Sequence, residues 1–352
     1  MKRRRFLHCL SALGTGVTLP AFARSRPDVP IATSEARGES RHFEIRERTD
    51  DFSTRVVVVA VGGAAGAILA AQGDLPGQPR TLAINTDLQG LRQAGAEHSI
   101  LIRSPSGRKV RSPQDASRLA RGVKNQIADA LADSHLAIVI AGMGGTAGTG
   151  IAPVVAEVLH DHGIPTIGLP ILPFAFEGER RRQVARAGEQ ALERWVTSSL
   201  TIPNDTLFRL AGDNALFSSV TGQAATIFGQ FYRALYQAIA VPGLIGVDFE
   251  DLCHVLGSGR RGRFACGESL LGLQSAAQSA LEQPLLDETS LRQSAGLYVA
   301  IEAPPSALKM REVAALMRWI RERVSSEVVM FSANVNAEAA ASYRVSMLAV
   351  GA

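Results

Sequence analysis

Cysteine is scarce in this sequence, with three in 352 residues, and Cys9 lies in a basic N-terminal stretch apart from the rest. Cys253 and Cys266 are too few for the disulfide framework on which small secreted proteins depend. They fit either one disulfide in an exported protein or two small buried thiols. A chain of this length can instead bury a sizeable core, and 46% of its residues are hydrophobic.

Net charge is almost absent once the N-terminus is set aside. Lys2, Arg3, Arg4 and Arg5 account for the formal charge of +4, because residues 1–23 contain no acidic residue. Without these four, the 37 basic residues fall to 33, which equals the 33 acidic residues. The basic isoelectric point therefore gives no support for nucleic-acid binding, and we predict no nucleic-acid partner.

Long apolar segments are missing after residue 23, so no transmembrane helix is predicted there. Residues 1–23 have a basic start, an apolar stretch from Phe6 to Leu19, and Ala21-Phe22-Ala23, which fits an A-x-A cleavage site. The run RRRFL resembles the twin-arginine export signal. The sequence predicts a signal peptide over 1–23 and a periplasmic protein; a disordered basic tail and a membrane anchor are the alternatives.

Two common nucleotide motifs are also absent. No Gly-Lys-Ser/Thr follows a glycine-rich loop, which excludes a Walker loop. The glycine spacing from Gly62 to Gly66 does not fit the G-x-G-x-x-G of dinucleotide-binding folds. A nicotinamide-dependent oxidoreductase is therefore excluded as a leading hypothesis.

Strands and helices alternate from residue 55 onward, after a polar linker over 24–52. Residues 55–61 form a continuous β-branched run, typical of a strand buried on both faces. Further strands are predicted at 80–87, 135–141 and 163–172, with one helix over 115–134. A long helical segment ends near Ala240, and its apolar stripe is Ile227, Phe231, Leu235 and Ile239. Beyond it we predict helices over 266–283 and 310–324 and strands over 295–303, 327–335 and 343–351, typical of an α/β fold with a parallel sheet.

The stretch GMGGTAGTG, residues 142–150, has five glycines between a predicted buried strand and a helix. Such a junction lets backbone N–H groups and the positive end of the helix dipole converge on a phosphate. The alternative is a tight turn that packs the helix against the strand.

This loop resembles the G-G-G-T-G-T-G signature of the tubulin/FtsZ superfamily. The likeness extends over nearly all of residues 55–352. It is carried by VVVVAVGGAAGAILA, AINTDLQGLRQA, LPFAFEGERRRQVARAGEQAL, LTIPNDTLF, VPGLIGVDFEDL, PLLDETSL and GLYVAIEA. The resemblance implies a Rossmann-like nucleotide-binding domain over 53–206, a central helical segment over 207–241 and a smaller C-terminal α/β domain over 242–352.

The resemblance also implies GTP or GDP, with Mg²⁺, as the ligand. The nucleotide-binding positions that it implies are Gly62, Gly63, Gly66, Asn85, Asp87, Gly144, Gly145, Thr146, Gly148, Thr149, Gly150, Glu177, Arg181 and Asn204. Some of these residues also have a purely structural explanation. Asn85 and Asp87 fit an Asx-turn, Glu177 and Arg181 an i,i+4 ion pair, and Asn204 a turn. No metal site built from protein side chains alone is predicted.

Asp248 and Asp251 match the acids that, in the resembling family, enter the next subunit's nucleotide site and position the attacking water. The resemblance thus implies a homo-oligomer, a head-to-tail filament, with these two as catalytic residues. Two acids three apart at a helix start also cap the helix, which is the alternative.

Four departures from the family pattern bear on activity. Thr146 and Ala147 replace a glycine and a threonine of the loop, Ala67 replaces an asparagine, and Thr226 replaces the aspartate that reads guanine. In addition, RSPSGRKVRSPQD stands where the family has a Gly/Ala-rich loop that senses the γ-phosphate. Arg108, Lys109 and Arg111 in this segment either bind phosphate or belong to a solvated loop.

Two functions remain open on the sequence. The first is an FtsZ-like, self-assembling GTPase of the cell-division or cytoskeletal type, located in the cytoplasm at the division site. The second is a non-enzymatic FtsZ-like scaffold with an eroded site, exported to the periplasm. Because Ala352 directly follows the last predicted strand, we expect no C-terminal peptide for membrane-tethering partners.

Overall fold

The structure is a computed structural model that describes residues 55–212, 216–240, 244–305, 307–335 and 342–351. The predicted signal peptide and linker lie outside these residues. The strands within them are β1 Val56–Val61, β2 Arg80–Asn85, β3 His98–Leu101, β4 Leu136–Gly142, β5 Thr166–Leu172, β6 Ser198–Leu200, β7 Ile202–Pro203, β8 Arg261–Ser269, β9 Gly296–Ala303, β10 Val328–Val335 and β11 Tyr343–Val350.

The helices of the same ranges cover both faces of the sheet. They are α1 Gly63–Ala70, α2 Leu88–Gln93, α3 Pro113–Arg121, α4 Lys124–Leu131, α5 Thr146–Asp161, α6 Glu179–Glu193, α7 Asn204–Ala211, α8 Phe217–Ala240, α9 Phe249–Gly257, α10 Leu273–Leu281, α11 Glu288–Gln293 and α12 Met310–Arg321. A short 3₁₀ turn, Ala175–Glu177, precedes α6.

The strands form one sheet in the order β10-β9-β11-β8-β6-β5-β4-β1-β2-β3, with β7 paired to β5. All pairings are parallel except those of β11, which runs antiparallel to β8 and β9. The predicted α/β fold with a mostly parallel sheet is confirmed. The sheet continues from the first half of the chain into the second through the parallel pairing of Ser199 and Leu200 with β8. The boundaries at 206 and 241 remain predictions.

Strand β1 is buried on both faces, as its β-branched run predicts. Val57, Val59 and Val61 belong to a core that includes α5, whereas Val56 and Val58 belong to a second core that includes α8. The apolar stripe of α8 is confirmed, since Ile227, Phe231 and Leu235 are buried and Ile239 packs against them. Covering both faces leaves the carboxyl ends of the parallel strands as the open edge of this half of the sheet.

Two element predictions are wrong. Residues 266–269 belong to strand β8, and the following helix begins only at Leu273. The strand is fixed by its pairing with β11, where Cys266 faces Ser346, and that pairing joins residues far apart in sequence. The single helix expected over 115–134 is two helices, α3 and α4, separated at Gly122 and Val123. Strands β3, β6 and β7 were not predicted, since two to four residues carry too little periodicity.

The two cysteines of the folded part are not paired. Cys253 is partly buried and Cys266 is buried, and both are free thiols. Burial raises the pKa of Cys253 to about 12 and that of Cys266 to about 11. Both therefore behave as small apolar side chains, the second of the two alternatives.

Among the described residues, no helix combines the length and apolar character that spanning a bilayer requires.

A candidate nucleotide-binding cleft

A cleft of about 350 Å³ opens at the carboxyl ends of β1, β2, β4 and β5. Ligands of open α/β sheets bind at this edge. Its walls are formed by Gly62, Gly63, Ala64, Asn85, Thr86, Gly142, Met143, Gly145, Thr146, Ala147, Gly148, Ile171, Pro173, Glu177, Arg181 and Asn204. Nine of the fourteen predicted nucleotide-binding residues are in this set; Gly66, Asp87, Gly144, Thr149 and Gly150 are not.

Three of the described helices begin at the cleft without a side-chain cap, and one of them, α7 at Asn204, has the acidic Asp205 in its first turn. The other two are α1 and α5. Helix α1 follows Gly62 and α5 follows Gly145, and neither has an acidic residue in its first turn. Side-chain caps are present on α2 (Asp87), α3 (Ser112), α9 (Asp248) and α11 (Asp287), whereas α4, α6, α10 and α12 also lack one. What distinguishes α1 and α5 is that both begin at the same cleft and have no acidic residue in the first turn. The first-turn N–H groups of a helix lack intrahelical partners. Two uncapped N-termini at one cleft therefore suit an anion, whose charge both helix dipoles favour.

The glycines of the cleft have two different roles. A Cβ on Gly148 would lie 2.1 Å from the Gly142 carbonyl oxygen, and one on Gly142 would lie 2.9 Å from the Ala64 Cβ. These glycines allow β4, α1 and α5 to pack closely. By contrast, a Cβ on Gly63 or Gly145 would meet nothing within 4 Å. Those two leave the cleft open for a ligand to approach the backbone.

The predicted loop residues outside the cleft walls hold the loop in shape. Gly144 has a φ of +86°, and its N–H donates to the Thr149 Oγ1 at 2.9 Å. A Cβ on Gly150 would lie 2.2 Å from the Pro113 carbonyl oxygen, so Gly150 allows α5 to approach α3. A Cβ on Gly66 would lie 3.1 Å from the Cβ of Ala94, the residue that ends α2, so Gly66 allows α1 to approach α2. Their contacts are structural.

The Asx-turn predicted as an alternative at the end of β2 is present. The Asn85 Oδ1 accepts hydrogen bonds from the N–H groups of Thr86 at 2.8 Å and Asp87 at 3.3 Å. Asn85 is also buried and lines the cleft. Asp87 instead accepts from the Gly90 N–H at 2.8 Å and caps α2.

Glu177 and Arg181 form an ion pair at the cleft wall. The Glu177 Oε2 lies 2.8 Å from the Arg181 Nη1, and its Oε1 accepts from the Phe174 N–H at 2.8 Å. The i,i+4 pair and the position at the cleft are therefore both present. Asn204 lies nearby as the first residue of α7.

Asp248 and Asp251 form a capping box at the start of α9 and do not line the cleft. The Asp248 Oδ1 accepts from the Asp251 N–H at 2.7 Å, and the Asp251 Oδ2 from the Asp248 N–H at 3.5 Å. Helix α9 packs on β9 and β10, and β9 is five strand spacings from β4 in the sheet order. At about 4.8 Å per spacing, Asp248 and Asp251 lie roughly 24 Å from the cleft of the same chain.

Thr226 and Ala67, which replace two base-reading side chains of the resembling family, also lie outside the cleft walls. Thr226 is exposed on α8, and its Oγ1 donates to the Gly222 carbonyl oxygen at 3.1 Å. Ala67 is exposed on α1. Sequence reasoning missed seven lining residues, which are Ala64, Thr86, Gly142, Met143, Ala147, Ile171 and Pro173. Their position at or just after the carboxyl ends of strands was the available signal.

Comparison with known proteins then assigns the fold and its cleft to a family. Residues 55–212, which contain all the cleft walls, match the model described as "Tubulin/FtsZ family, GTPase domain". The chain belongs to the tubulin/FtsZ superfamily.

Relatives within this superfamily include the cell division protein FtsZ of Caulobacter vibrioides, 31% identical over 312 residues, with 86% of this chain and 61% of the relative covered. The FtsZ of Bartonella bacilliformis is 33% identical over 309 residues, which cover 86% of this chain and 52% of the relative. The chain thus spans less than two thirds of the length of these relatives.

Solved structures of the superfamily share the fold. An empty FtsZ dimer from M. jannaschii superposes with a TM-score of 0.76 at 28% identity, covering 85% of this chain and 88% of that one. CetZ2 from Haloferax volcanii, described as a GTPgS-bound protofilament, gives a TM-score of 0.73 at 20% identity, and the superposition covers 84% of this chain and 93% of that one. The second likeness concerns the fold alone.

Proposed function

We propose that this protein binds GTP and GDP in the cleft and assembles head to tail into filaments of the cell-division or cytoskeletal type. The observation that carries the proposal is the pair of uncapped helix N-termini at the cleft, α1 and α5. The family match and the relatives named as cell division proteins support it.

The cleft residues fit a nucleotide. The open backbone at Gly63 and Gly145 would face the phosphates, and Asn85, Glu177, Arg181 and Asn204 would contact the rest of the ligand. Among the described residues that form the walls, Glu177 is the one carboxylate, and it is paired with Arg181. Mg²⁺ would therefore be held mainly by the phosphates, which is its usual mode with nucleotides, and would supply charge neutralisation there.

The binding proposal is tested by filling the cleft without straining the fold. Gly145 has an extended backbone (φ −99°, ψ −179°) that valine adopts readily, and its Cβ direction is open. Gly145→Val should lower GTP and GDP affinity at least tenfold in equilibrium titration. Gly257→Val is the matched control, since Gly257 is also open and exposed but lies on α9. Equal affinities in Gly145→Val and the parent would reject this site.

We propose further that hydrolysis, when it occurs, takes place between two subunits. Asp248 and Asp251 lie roughly 24 Å from the cleft of their own chain by strand spacing. They can complete a site only in a neighbouring copy, and a head-to-tail contact of this kind propagates as a filament unless it closes.

Complementation tests the shared site. Asp251→Asn removes the charge while keeping an oxygen acceptor for the Asp248 N–H, so it should bind nucleotide and lose hydrolysis. Mixed with Gly145→Val, which lacks the other half, it should recover part of the activity. Glu250→Gln is the control for an exposed charge on the same turn. Hydrolysis strictly proportional to protein concentration down to dilute monomer would contradict the shared site.

A second candidate is a filament-forming scaffold with little turnover. It is favoured by Thr226, which bonds to its own helix and stands where the family has the guanine-reading aspartate. Filaments without hydrolysis at any protein concentration would establish this candidate and exclude the first.

The compartment in which the protein acts depends on whether residues 1–23 direct its export. Export by the twin-arginine route would favour the scaffold, because the periplasm is outside the cytoplasmic GTP pool. Action at the division site in the cytoplasm fits the relatives named as cell division proteins. Cell fractionation of the native chain, with Arg3–Arg5 replaced by lysine as the comparison, separates the two.

A further inference from the structure

Two exposed leucines follow strand β8, and an exposed methionine begins helix α12. Leu270, Leu271 and Met310 are 73%, 88% and 73% exposed, and Leu271 is the most exposed large hydrophobic side chain in the described part of the chain. Single exposed apolar residues are common on protein surfaces, whereas a cluster of them marks an interaction site. What these residues mark therefore depends on whether the three lie together.

The sheet places the three residues at one corner. Strands β8 and β9 both run antiparallel to β11, which lies between them, so their carboxyl ends share one edge and are roughly 10 Å apart. Helices α10 and α12 pack on the same face of the sheet and contact each other. Leu270 and Leu271 directly precede the N-cap of α10, and Met310 is the first residue of α12. We call Leu270, Leu271 and Met310 the apolar corner.

Uncompensated positive charge adjoins the apolar corner. Lys309 and Arg311 flank Met310, and Arg318 lies about two turns further along the same face of α12; all three cations are exposed. Within the described ranges, none of the three forms an ion pair. Glu312, the acidic residue of this first turn, is half-buried. Helix α10 begins with neither a side-chain cap nor an acidic residue in its first turn, so its dipole adds to the positive potential.

We propose that the apolar corner docks on the surface of a membrane that contains anionic phospholipid. The leucine and methionine side chains enter the boundary between headgroups and acyl chains, and Lys309, Arg311 and Arg318 pair with lipid phosphates. Stable attachment needs both contributions, because either one alone gives weak and reversible binding. This surface is separate from the cleft, and the proposal does not depend on nucleotide binding.

A second copy of the chain suits this surface less well. An isologous contact would bring Lys309 and Arg311 against the same residues of the other copy, and like charges facing each other in an interface are costly. The nearby carboxylate of Glu268 is already paired with Arg344 at 2.8 Å. An anionic lipid surface supplies the negative charge with which these cations can pair.

Vesicle sedimentation of the purified full chain tests the proposal, using phosphatidylcholine vesicles with and without phosphatidylglycerol. Combining Leu270→Ser, Leu271→Ser and Met310→Ser should lower partition onto the anionic vesicles about tenfold, and so should combining Lys309→Gln with Arg311→Gln. Leu216→Ser, at an apolar position that is 75% exposed, and Arg92→Gln with Arg233→Gln, exposed on α2 and α8, are the matched controls and should keep the parent value.

Quenching by brominated phosphatidylglycerol reports on the corner itself, independently of any lipid binding by residues 1–23. After subtraction of the parent signal, the tryptophan of Leu271→Trp should be quenched and that of Leu216→Trp should not. An unquenched Leu271→Trp, or equal quenching of the two, would overturn the proposal. Loss of self-association by the serine variant in the absence of vesicles, with Leu271→Trp unquenched, would assign the corner to a second copy instead. Nucleotide affinity should be the same in all these variants, so failure here leaves the proposed function standing.

Discussion

Gly148 offers a sharp test of the two roles assigned to glycines in the cleft. In the structure it is buried in the first turn of α5 and packs against the backbone of β4. Gly148→Ala adds a single Cβ, which would lie 2.1 Å from the Gly142 carbonyl oxygen and 2.9 Å from its carbonyl carbon. Contacts of a Cβ below 3.0 Å are essentially never seen in proteins, so α5 or β4 must shift by about 1 Å.

The expected cost follows from how little these elements can move. Residues Leu136 to Ala141 of β4 are 0–1% exposed and packed on both faces. Overpacking of such a core costs roughly 1–3 kcal/mol, and we take the upper end because the atoms that the Cβ would meet belong to the Gly142 backbone, which cannot change rotamer. Alanine recovers up to about 1 kcal/mol over glycine in a helix. The net loss in the free energy of unfolding is therefore about 2 kcal/mol.

Thermal unfolding followed by circular dichroism checks this value. About 2 kcal/mol should lower the Tm by roughly 3 °C in a folded part of this size. Gly145→Ala, whose Cβ meets nothing within 4 Å, should stay within about 0.5 kcal/mol of the parent. If Gly148→Ala unfolds at the parent temperature, Gly148 is not a packing glycine and the reasoning fails.

Three further outcomes are expected. The Ser290 N–H holds the pKa of Asp287 below its ordinary 3.8, so the Asp287 cap stabilises the fold above about pH 4, and this stability is lost as the pH falls through the folded pKa. In urea unfolding, Asp287→Ala should cost about 1 kcal/mol at pH 7 and progressively less as the pH falls below about 4. Tyr298→Phe should cost about 1–2 kcal/mol in the same assay, because the buried Ser332 Oγ, 2.7 Å from the tyrosine hydroxyl, loses its partner. GTP should outcompete ATP by less than about a hundredfold, and Thr226→Asp should raise that preference; a larger preference in the parent would show that other groups read the base.

Much of the fold could be predicted from the sequence because its signals are local. The β-branched run of β1, the glycines before α5 and the four-residue repeat on α8 each depend on neighbouring residues and the periodicity of one element. The family motifs are local in the same sense, since each is a short segment in a fixed order. These segments led to the parallel sheet and to most of the residues that line the cleft.

Other features depend on residues that are distant in sequence, and only the tertiary structure decided them. Residues 266–269 are a strand because β11, some 80 residues later, pairs with them. The Cβ direction of Gly145 is open, whereas that of Gly148 points at the Gly142 carbonyl oxygen, although the sequence of the loop does not distinguish the two glycines.

The position of the two acids is the clearest case. The sequence by itself determined that Asp248 and Asp251 begin a helix, because an acid at the N-cap and another three residues later satisfy its first N–H groups locally. It did not determine their distance from the cleft. That distance is set by the sheet order, in which β11, β8, β6 and β5 lie between β9 and β4, and strand order results from packing over the whole chain.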